Sequence, residues 1–289
     1  MKKQYQFGNT TIEIHLPKEM KIPFNMSLFE VQTEQIDKIY HLEFSENLDK
    51  IEQNFRMESS EVIDYMRRNM QILVAPNREC RIVRFEGTTK PYGICIEESL
   101  QVTHAWVDFK VAHMMQYDTI FSSLLGLEKV LLRKNEMILH SAYICREGKA
   151  ILFSAPSETG KSTQADLWKK YRGTRTINGD RSLLVKEHDG WYAYGWAICG
   201  SSEICHNESY PIHAIVMLHQ AKENEVRKLG TLESVKKLMS QITINMWNPE
   251  FQNKALDLIQ SLVAEIPVFE LGCNISENAV ACLEQALSE

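Results

Sequence analysis

The stretch KAILFSAPSETGKSTQADLWKKY, residues 149–171, limits the possible folds more than any other part of the chain. Ala150, Ile151, Leu152 and Phe153 form a short apolar run bounded by turn formers, which predicts a buried strand. The run stops at Ser154-Ala155-Pro156-Ser157-Glu158-Thr159-Gly160, and Lys161-Ser162-Thr163 opens a stretch of helix formers. Strand, tight loop, Gly-Lys-Ser and helix in this order make the P-loop arrangement. Such a loop turns its N–H groups and a helix N-terminus toward phosphate. Lys161 would set a flexible point charge against the outer phosphates of a nucleotide, and the Ser162 hydroxyl would bind Mg²⁺. One position departs from GxxxxGK[ST]: the first glycine is Ala155. The competing reading, a Gly-Lys-Ser turn at an ordinary helix start, loses ground because strand and helix flank the loop in register.

The remaining numbers exclude some partners. The 289 residues suffice for one large core or two smaller ones. A net charge of −6 argues against a nucleic-acid binder, which needs a basic footprint to displace counterions. The cluster Lys169, Lys170, Arg172 and Arg175 reads as the solvated end of a helix. Seven scattered cysteines with no CxxC read as reduced thiols rather than a disulfide framework or zinc site. The opening MKKQYQFGNTTIEIHL lacks a signal-peptide core, and no apolar run reaches membrane-spanning length. The expected location is cytoplasmic, with no membrane or nucleic-acid partner.

Up to about residue 110 the pattern is mostly strand. Ile12, Ile14 and Leu16 alternate with polar residues, as do Tyr40, Leu42, Phe44 and Tyr92, Ile94, Ile96. SSEVIDYMRRNM (59–70) is predicted as a helix capped by Ser59 or Ser60. His104 and Trp106 share a strand face and read as β-core packing. No catalytic constellation stands out, so residues 1–110 are expected to support the rest or to receive a partner. Residues 111–133 carry apolar residues near helical spacing and predict one long buried helix, a connector within 111–134.

The segment after the connector decides the fold class. Met137–Ile144 is predicted as a strand, Arg146-Glu147-Gly148 as a turn, and Lys149–Ser154 as the strand feeding the loop. Two strands this close leave no room for a crossover helix and must pair antiparallel. Downstream, Thr176–Asn178 ends at Gly179-Asp180-Arg181, and Leu183–Lys186 and Trp191–Tyr194 flank the hairpin turn His188-Asp189-Gly190. The expectation is an α/β (α+β-like) domain over 135–289, with its P-loop in a mixed sheet, preceded by a mostly β region. PIHAIVMLHQ reads as a core strand, with Val226–Leu229 returning after a turn at Ala221–Glu225. Helices are expected to about Asn245 and over 250–265, then a strand Val268–Leu271. A capping box at Asn274-Ile275-Ser276-Glu277 precedes the closing helix.

LHSAYI, the loop APSETGKST and INGDRSLL together resemble the catalytic domain of HPr kinase/phosphorylase, whose fold also occurs in ATP-dependent phosphoenolpyruvate carboxykinase. The chain looks closer still to HPr-kinase-related proteins found beside peptide-modification genes in Gram-positive bacteria, some of which phosphorylate serine in precursor peptides. The resemblance covers about residues 135–289. It implies that Ser157, Glu158, Thr159, Gly160, Lys161, Ser162 and Thr163 bind the triphosphate of ATP with Mg²⁺. It implies that Asp180 is the base that takes the acceptor's proton and helps hold the metal with Ser162, and that His140 lies beside the active site. Three departures stand out: Arg181 occupies the place of a second aspartate, Ala155 replaces the first loop glycine, and WAICGSSE (196–203) does not match the family's Arg-Gly segment. HPr itself is therefore a doubtful substrate.

Each residue also has a structural reading. Asp180 follows a strand at a glycine and could simply make a turn. His140 reads equally as a core histidine. Glu203 reads as a solvated loop acid. His213 and His219 lie too far apart on one strand to share an ion. The leading expectation is a kinase that phosphorylates a serine on a peptide or small protein, with Lys161, Asp180, His140 and Arg181 as its machinery and oligomerisation open. The alternatives are a non-catalytic nucleotide-binding scaffold or sensor, favoured by Ala155 and Arg181, and a small-metabolite kinase acting, for example, on free serine.

Overall fold

In the computed structural model, which describes residues 1–288, the chain divides into two units. One comprises Met1–Gln6 with Thr10–Val130, the other Phe7–Asn9 with the chain from Leu131 on.

The first unit is built on period-two sequence. Its strands are β1 (Lys2–Phe7), β2 (Thr10–His15), β3 (Lys38–Ser45), then, after the helix α1 (Leu48–Glu58), β4 (Ile63–Arg67), β5 (Met70–Ala75), β6 (Arg78–Arg84), β7 (Pro91–Glu97) and β8 (Val102–Asp108). They form one eight-stranded sheet in the order β1-β2-β3-β8-β7-β6-β5-β4. Leu48 and Phe55 of α1 are buried against Leu73, Ile82, Ile94 and Ile96 on one face. The helix expected over 59–70 is not present. The helical turn signal lies upstream, where the Asn47 side chain accepts the Lys50 N–H at 3.1 Å. Residues 63–67 instead pair antiparallel with β5, from Ile63 opposite Val74 to Arg67 opposite Met70. Cross-strand pairing overrides the weak helix preference of that stretch.

The single helix expected over 111–133 is also broken. It becomes a 3-10 segment Phe109–Gln116, then α2 (Asp118–Leu125) and α3 (Glu128–Arg133). Tyr117 is extended at the first break, and Gly126 takes a left-handed φ of 62° at the second. A glycine in that conformation ends a helix at little cost, whatever the apolar spacing around it. Beneath these helices Arg81, 5% exposed, ion-pairs with Glu128 and donates to Ser123 O at 3.2 Å.

The second unit contains β9 (Glu136–Arg146), β10 (Lys149–Ser154), α4 (Lys161–Arg172), β11 (Arg175–Asn178), β12 (Arg181–Glu187), β13 (Gly190–Tyr194), β14 (Ser209–Gln220), β15 (Glu225–Lys228), α5 (Thr231–Met239), α6 (Pro249–Glu265), β16 (Val268–Cys273) and α7 (Glu277–Ser288). β10 pairs antiparallel with β9 and parallel with β14, so the P-loop strand sits inside a mixed sheet. β9 continues to β12, β12 to β13 and β13 to β14, closing a circuit back to β10. The near-continuous apolar run of β10 follows from burial on both faces. Ala150 and Leu152 point into the core with α5 and α6, which contribute Leu238, Phe251 and Ile259. Ile151 and Phe153 point the other way, onto Trp168 of α4 and Val280 of α7.

Three details differ from expectation. β15 does not pair with β14; β16 lies between them, parallel to β14 and antiparallel to β15. β16 is the more apolar strand and takes the inner position, while the mostly exposed EVRK segment is left at the edge. α5 ends at Met239, and Pro249, rather than breaking a helix, begins α6 behind Asn248, whose side chain accepts the Phe251 N–H. At α7 the Asn274 carboxamide is engaged by Asn224 and Ser276 instead of forming the expected box.

The buried Arg81–Glu128 pair yields a test. Glu128→Ala removes the carboxylate that pairs directly with a buried guanidinium and should cost about 3–5 kcal/mol, read as a lowered midpoint in urea or heat.

Candidate functional site

β9 carries the site at its centre. On one edge, Ser141 stands opposite Ser154, the last residue of the P-loop strand. On the other edge, the chain from Arg175 to Glu187 runs antiparallel to β9 with one irregularity. Thr176 pairs with Ile144, yet Asn178 pairs with Tyr143, so an extra residue is inserted at Ile177. A bulge of this kind bends the strand and re-aims the side chains after it. Beyond it the Ser141 N–H donates to Asp180 O at 3.0 Å and Arg181 falls opposite His140. The two ends of the site therefore meet through one residue of β9, and Ser154 Oγ ties the strands further by donating to His140 O at 2.8 Å.

The turn at Asp180 is fixed from below by Asn178, which is fully buried. Its Oδ1 accepts the N–H groups of Asp180 and Arg181, both at 2.9 Å, and its Nδ2 donates to Trp196 O and Ile198 O. This is an Asx turn that spends every hydrogen-bonding group of the carboxamide. The WAICGSSE segment then closes over the turn. A Cβ on Gly179 would collide with Ser202 Oγ, and one on Gly200 would lie 3.2 Å from Asp180 Cγ. Asn178 and Gly200 were missed in the sequence; the Asn-Gly pair before Asp180 carried the signal for the first, and nothing local marked the second.

Side chains converge on Asp180. His140 Nε2 lies 3.3 Å from its Oδ1, and Arg181 Nε lies 3.3 Å from its Oδ2. Burial works against the charged carboxylate, but the His140 hydrogen bond and the charges of Arg181, His140 and Lys161 outweigh it, leaving Asp180 below its ordinary value. Asp180 is thus ionised near neutrality. Burial depresses the Lys161 ammonium; Asp180 opposes that shift and Arg181 adds to it. Glu203 is exposed, in a left-handed turn, and makes no ion pair with this cluster among the described residues.

The loop itself suits phosphate. α4 begins at Lys161 behind Gly160, which supplies no side-chain cap, and the first N–H groups of a helix have no partner within the helix itself. Gly160 has φ 114° and Glu158 φ 64°, so the chain reverses sharply before the helix. Lys161 Nζ folds back over the loop onto Ala155 O at 3.1 Å and Pro156 O at 3.3 Å. Ala155 needs no glycine: its φ is not in the left-handed region, and its methyl is buried with Phe153 and Ala165. The departure at this position is thus accommodated by packing. Serines and threonines Ser157, Thr159, Ser162 and Thr163 line the turn and helix start, none of them deeply buried. No three His, Cys, Asp or Glu side chains gather to hold a metal among the described residues.

Residues 107–288, more than half of the chain, match the family model described as SynChlorMet cassette protein ScmC. The chain belongs to the ScmC family. No curated protein matches it. Among solved structures it is similar to the Hpr(Ser) kinase/phosphatase from Coxiella burnetii, at 10% identity and a TM-score of 0.30, over 52% of this chain and 92% of that one. The mixed sheet around the P-loop follows from the strand pairings above and stands without it.

The lowered Asp180 has a consequence for acid stability. A carboxylate with a native value below its unfolded one contributes stability that is complete above the unfolded value and lost as pH falls through the native one. Asp180→Asn should therefore flatten the fall in melting temperature below about pH 4, the ordinary carboxylate range. The comparison is wild type against variant from pH 7 to pH 2.5, roughly the span over which carboxylates titrate.

Proposed function

We propose that the protein is an ATP- and Mg²⁺-dependent kinase that phosphorylates a hydroxyl, a serine on a peptide or small protein. One observation carries this reading: the P-loop strand and Asp180 lie on opposite edges of the same residue of β9, with His140 and Arg181 beside the carboxylate. Phosphate held at the start of α4 would then lie near a charged carboxylate that an acceptor hydroxyl could reach. Phosphoryl transfer asks the protein mainly for positioning and charge stabilisation.

The residues would divide the work accordingly. The uncapped amides of α4 and the Lys161 ammonium would hold the outer phosphates, Lys161 leaving its two carbonyl partners for a stronger, charged one. Mg²⁺, brought in with ATP, would be held by phosphate oxygens, the Ser162 hydroxyl and Asp180, and would neutralise charge on the transferring group. Asp180 would accept the hydrogen bond, and finally the proton, of the acceptor hydroxyl. Its lowered value makes it a weak base, which suits a loose transition state in which the hydroxyl loses its proton late. His140 would orient the carboxylate. Arg181 would add a fixed positive fork where a second acidic ligand is absent.

A nucleotide-binding scaffold is the second reading, and Arg181 is its support. With Arg181 and His140 both on Asp180, the carboxylate already has partners without any substrate. Free serine as acceptor is the small-metabolite version of the kinase.

Two measurements test these readings. ATP with Mg²⁺ at about 100 times its dissociation constant should stabilise the wild type by about 2.7 kcal/mol, and Lys161→Ala should remove most of the shift. An unchanged melt for both proteins would sink any P-loop role. Transfer from labelled ATP should be assayed with protein alone, with free serine and with serine peptides encoded beside the gene. Asp180→Asn should lower transfer by about 10²–10⁴-fold while the thermal shift persists, and Arg181→Ala should weaken transfer without abolishing nucleotide binding. A scaffold would shift its melt with nucleotide and transfer nothing in any arm.

A further inference from the structure

β4 is the edge strand of the first unit's sheet, and its outer side has no partner strand. Edge strands of monomeric proteins are normally blunted by lysine, proline or a bulge, because unpaired N–H and C=O groups recruit other strands. β4 has no lysine, proline or bulge, and its charges are Asp64 and, at its end, Arg67. Its five residues IDYMR are all exposed, and three are large and apolar: Ile63 at 57%, Tyr65 at 38% and Met66 at 65%.

The charges around the strand are complementary to themselves. Glu61 precedes it, while Arg67 and Arg68 close it and follow it, all exposed. The one charge in its middle, Asp64, is already held by Arg56 at 3.0 Å and by Gln71 at 2.7 Å. An antiparallel copy of the same strand would bring each acidic end against a basic one. Centred on Tyr65, the register sets Tyr65 opposite Tyr65, Ile63 opposite Arg67, and Glu61 diagonal to Arg67. Aromatic pairs and opposite charges at these spacings stabilise a sheet. A two-fold contact of this type is closed, so it stops at two chains instead of propagating.

We propose that β4 is a homodimer surface: two copies of the chain join edge to edge, antiparallel about Tyr65, into one continuous sheet. The strand supplies main-chain hydrogen bonds by augmentation, and Ile63, Tyr65 and Met66 supply apolar contact on its two faces.

The test is sedimentation of the full chain together with cysteine cross-linking. A contact of this small size makes a weak, transient dimer that should dissociate on dilution. Tyr65→Lys should weaken it at least about tenfold while leaving the melting temperature within a degree or so, since the side chain is exposed. Tyr65→Cys should form a disulfide-linked dimer on mild oxidation, because directly opposed Cα atoms lie about 4.5–5.5 Å apart. Ile63→Cys should not, because the two copies of that position are offset by about 13 Å along the strand. The unsubstituted chain gives the background from its own cysteines. A wild type that stays monomeric up to about 100 µM overturns the proposal, and so does equal cross-linking at positions 63 and 65. A monomer that instead adds an extended peptide to this edge also overturns it.

Discussion

Backbone pairing around Ser141 determines how far the P-loop lies from Asp180. Ser154 is opposite Ser141 on one edge of β9, and the Ser141 N–H is taken by Asp180 O on the other. Neighbouring strands in a sheet are spaced by about 4.8 Å, so the two ends of the site are separated by two strand spacings and cannot drift independently. Groups carried by paired strands are held more precisely than groups carried by loops alone. The loops supply only the final aim: Asn178 from below the turn, Gly200 and Ser202 from above.

Much of this was legible in the sequence, and the reason is local. The apolar run of β10, the Gly-Lys-Ser start of α4 and the short Arg146–Gly148 connection are each determined within a few residues, so strand, loop, helix and antiparallel pairing could be read directly. His140, Asp180 and Arg181 could be named from motifs and do come together. The bulge at Ile177 could not be read. It depends on register against β9, a strand some thirty residues away in sequence, and one inserted residue leaves the apolar pattern of TIN almost unchanged. The same limit explains the elements that differ. Residues 59–70 have a helix-like pattern only until β5 offers them a partner. Gly126 interrupts a run whose apolar spacing is otherwise helical. Where the outcome depends on long-range pairing, local periodicity misleads.

The charge balance of the site runs against that of the chain. The sequence is net acidic at −6, yet the side chains that bear on one another at the P-loop are Lys161 and Arg181 against the single carboxylate Asp180. Lys161 is held below its ordinary value because burial takes more from the ammonium than the one shared carboxylate returns. An anion beside the ammonium would oppose that shift. In the first unit, by contrast, the buried Arg81 and Lys38 and the partly buried Lys129 lie against Glu128, Glu97 and Glu79.

Arg181 changes what the site can hold by itself. With an acid at that position, two carboxylates would stand side by side, repel each other, and draw a divalent cation between them. With arginine there, Asp180 is neutralised from within the protein, and the pull on a free cation is correspondingly weak. A metal ion would then be held mainly through phosphate oxygens, and its occupancy would follow that of the nucleotide. The same exchange bears on direction. A guanidinium beside the carboxylate favours ligands that bring negative charge and disfavours any state in which Asp180 must lose its own. Arg181 thus weakens the site's own pull on a free cation and adds to its pull on an anion.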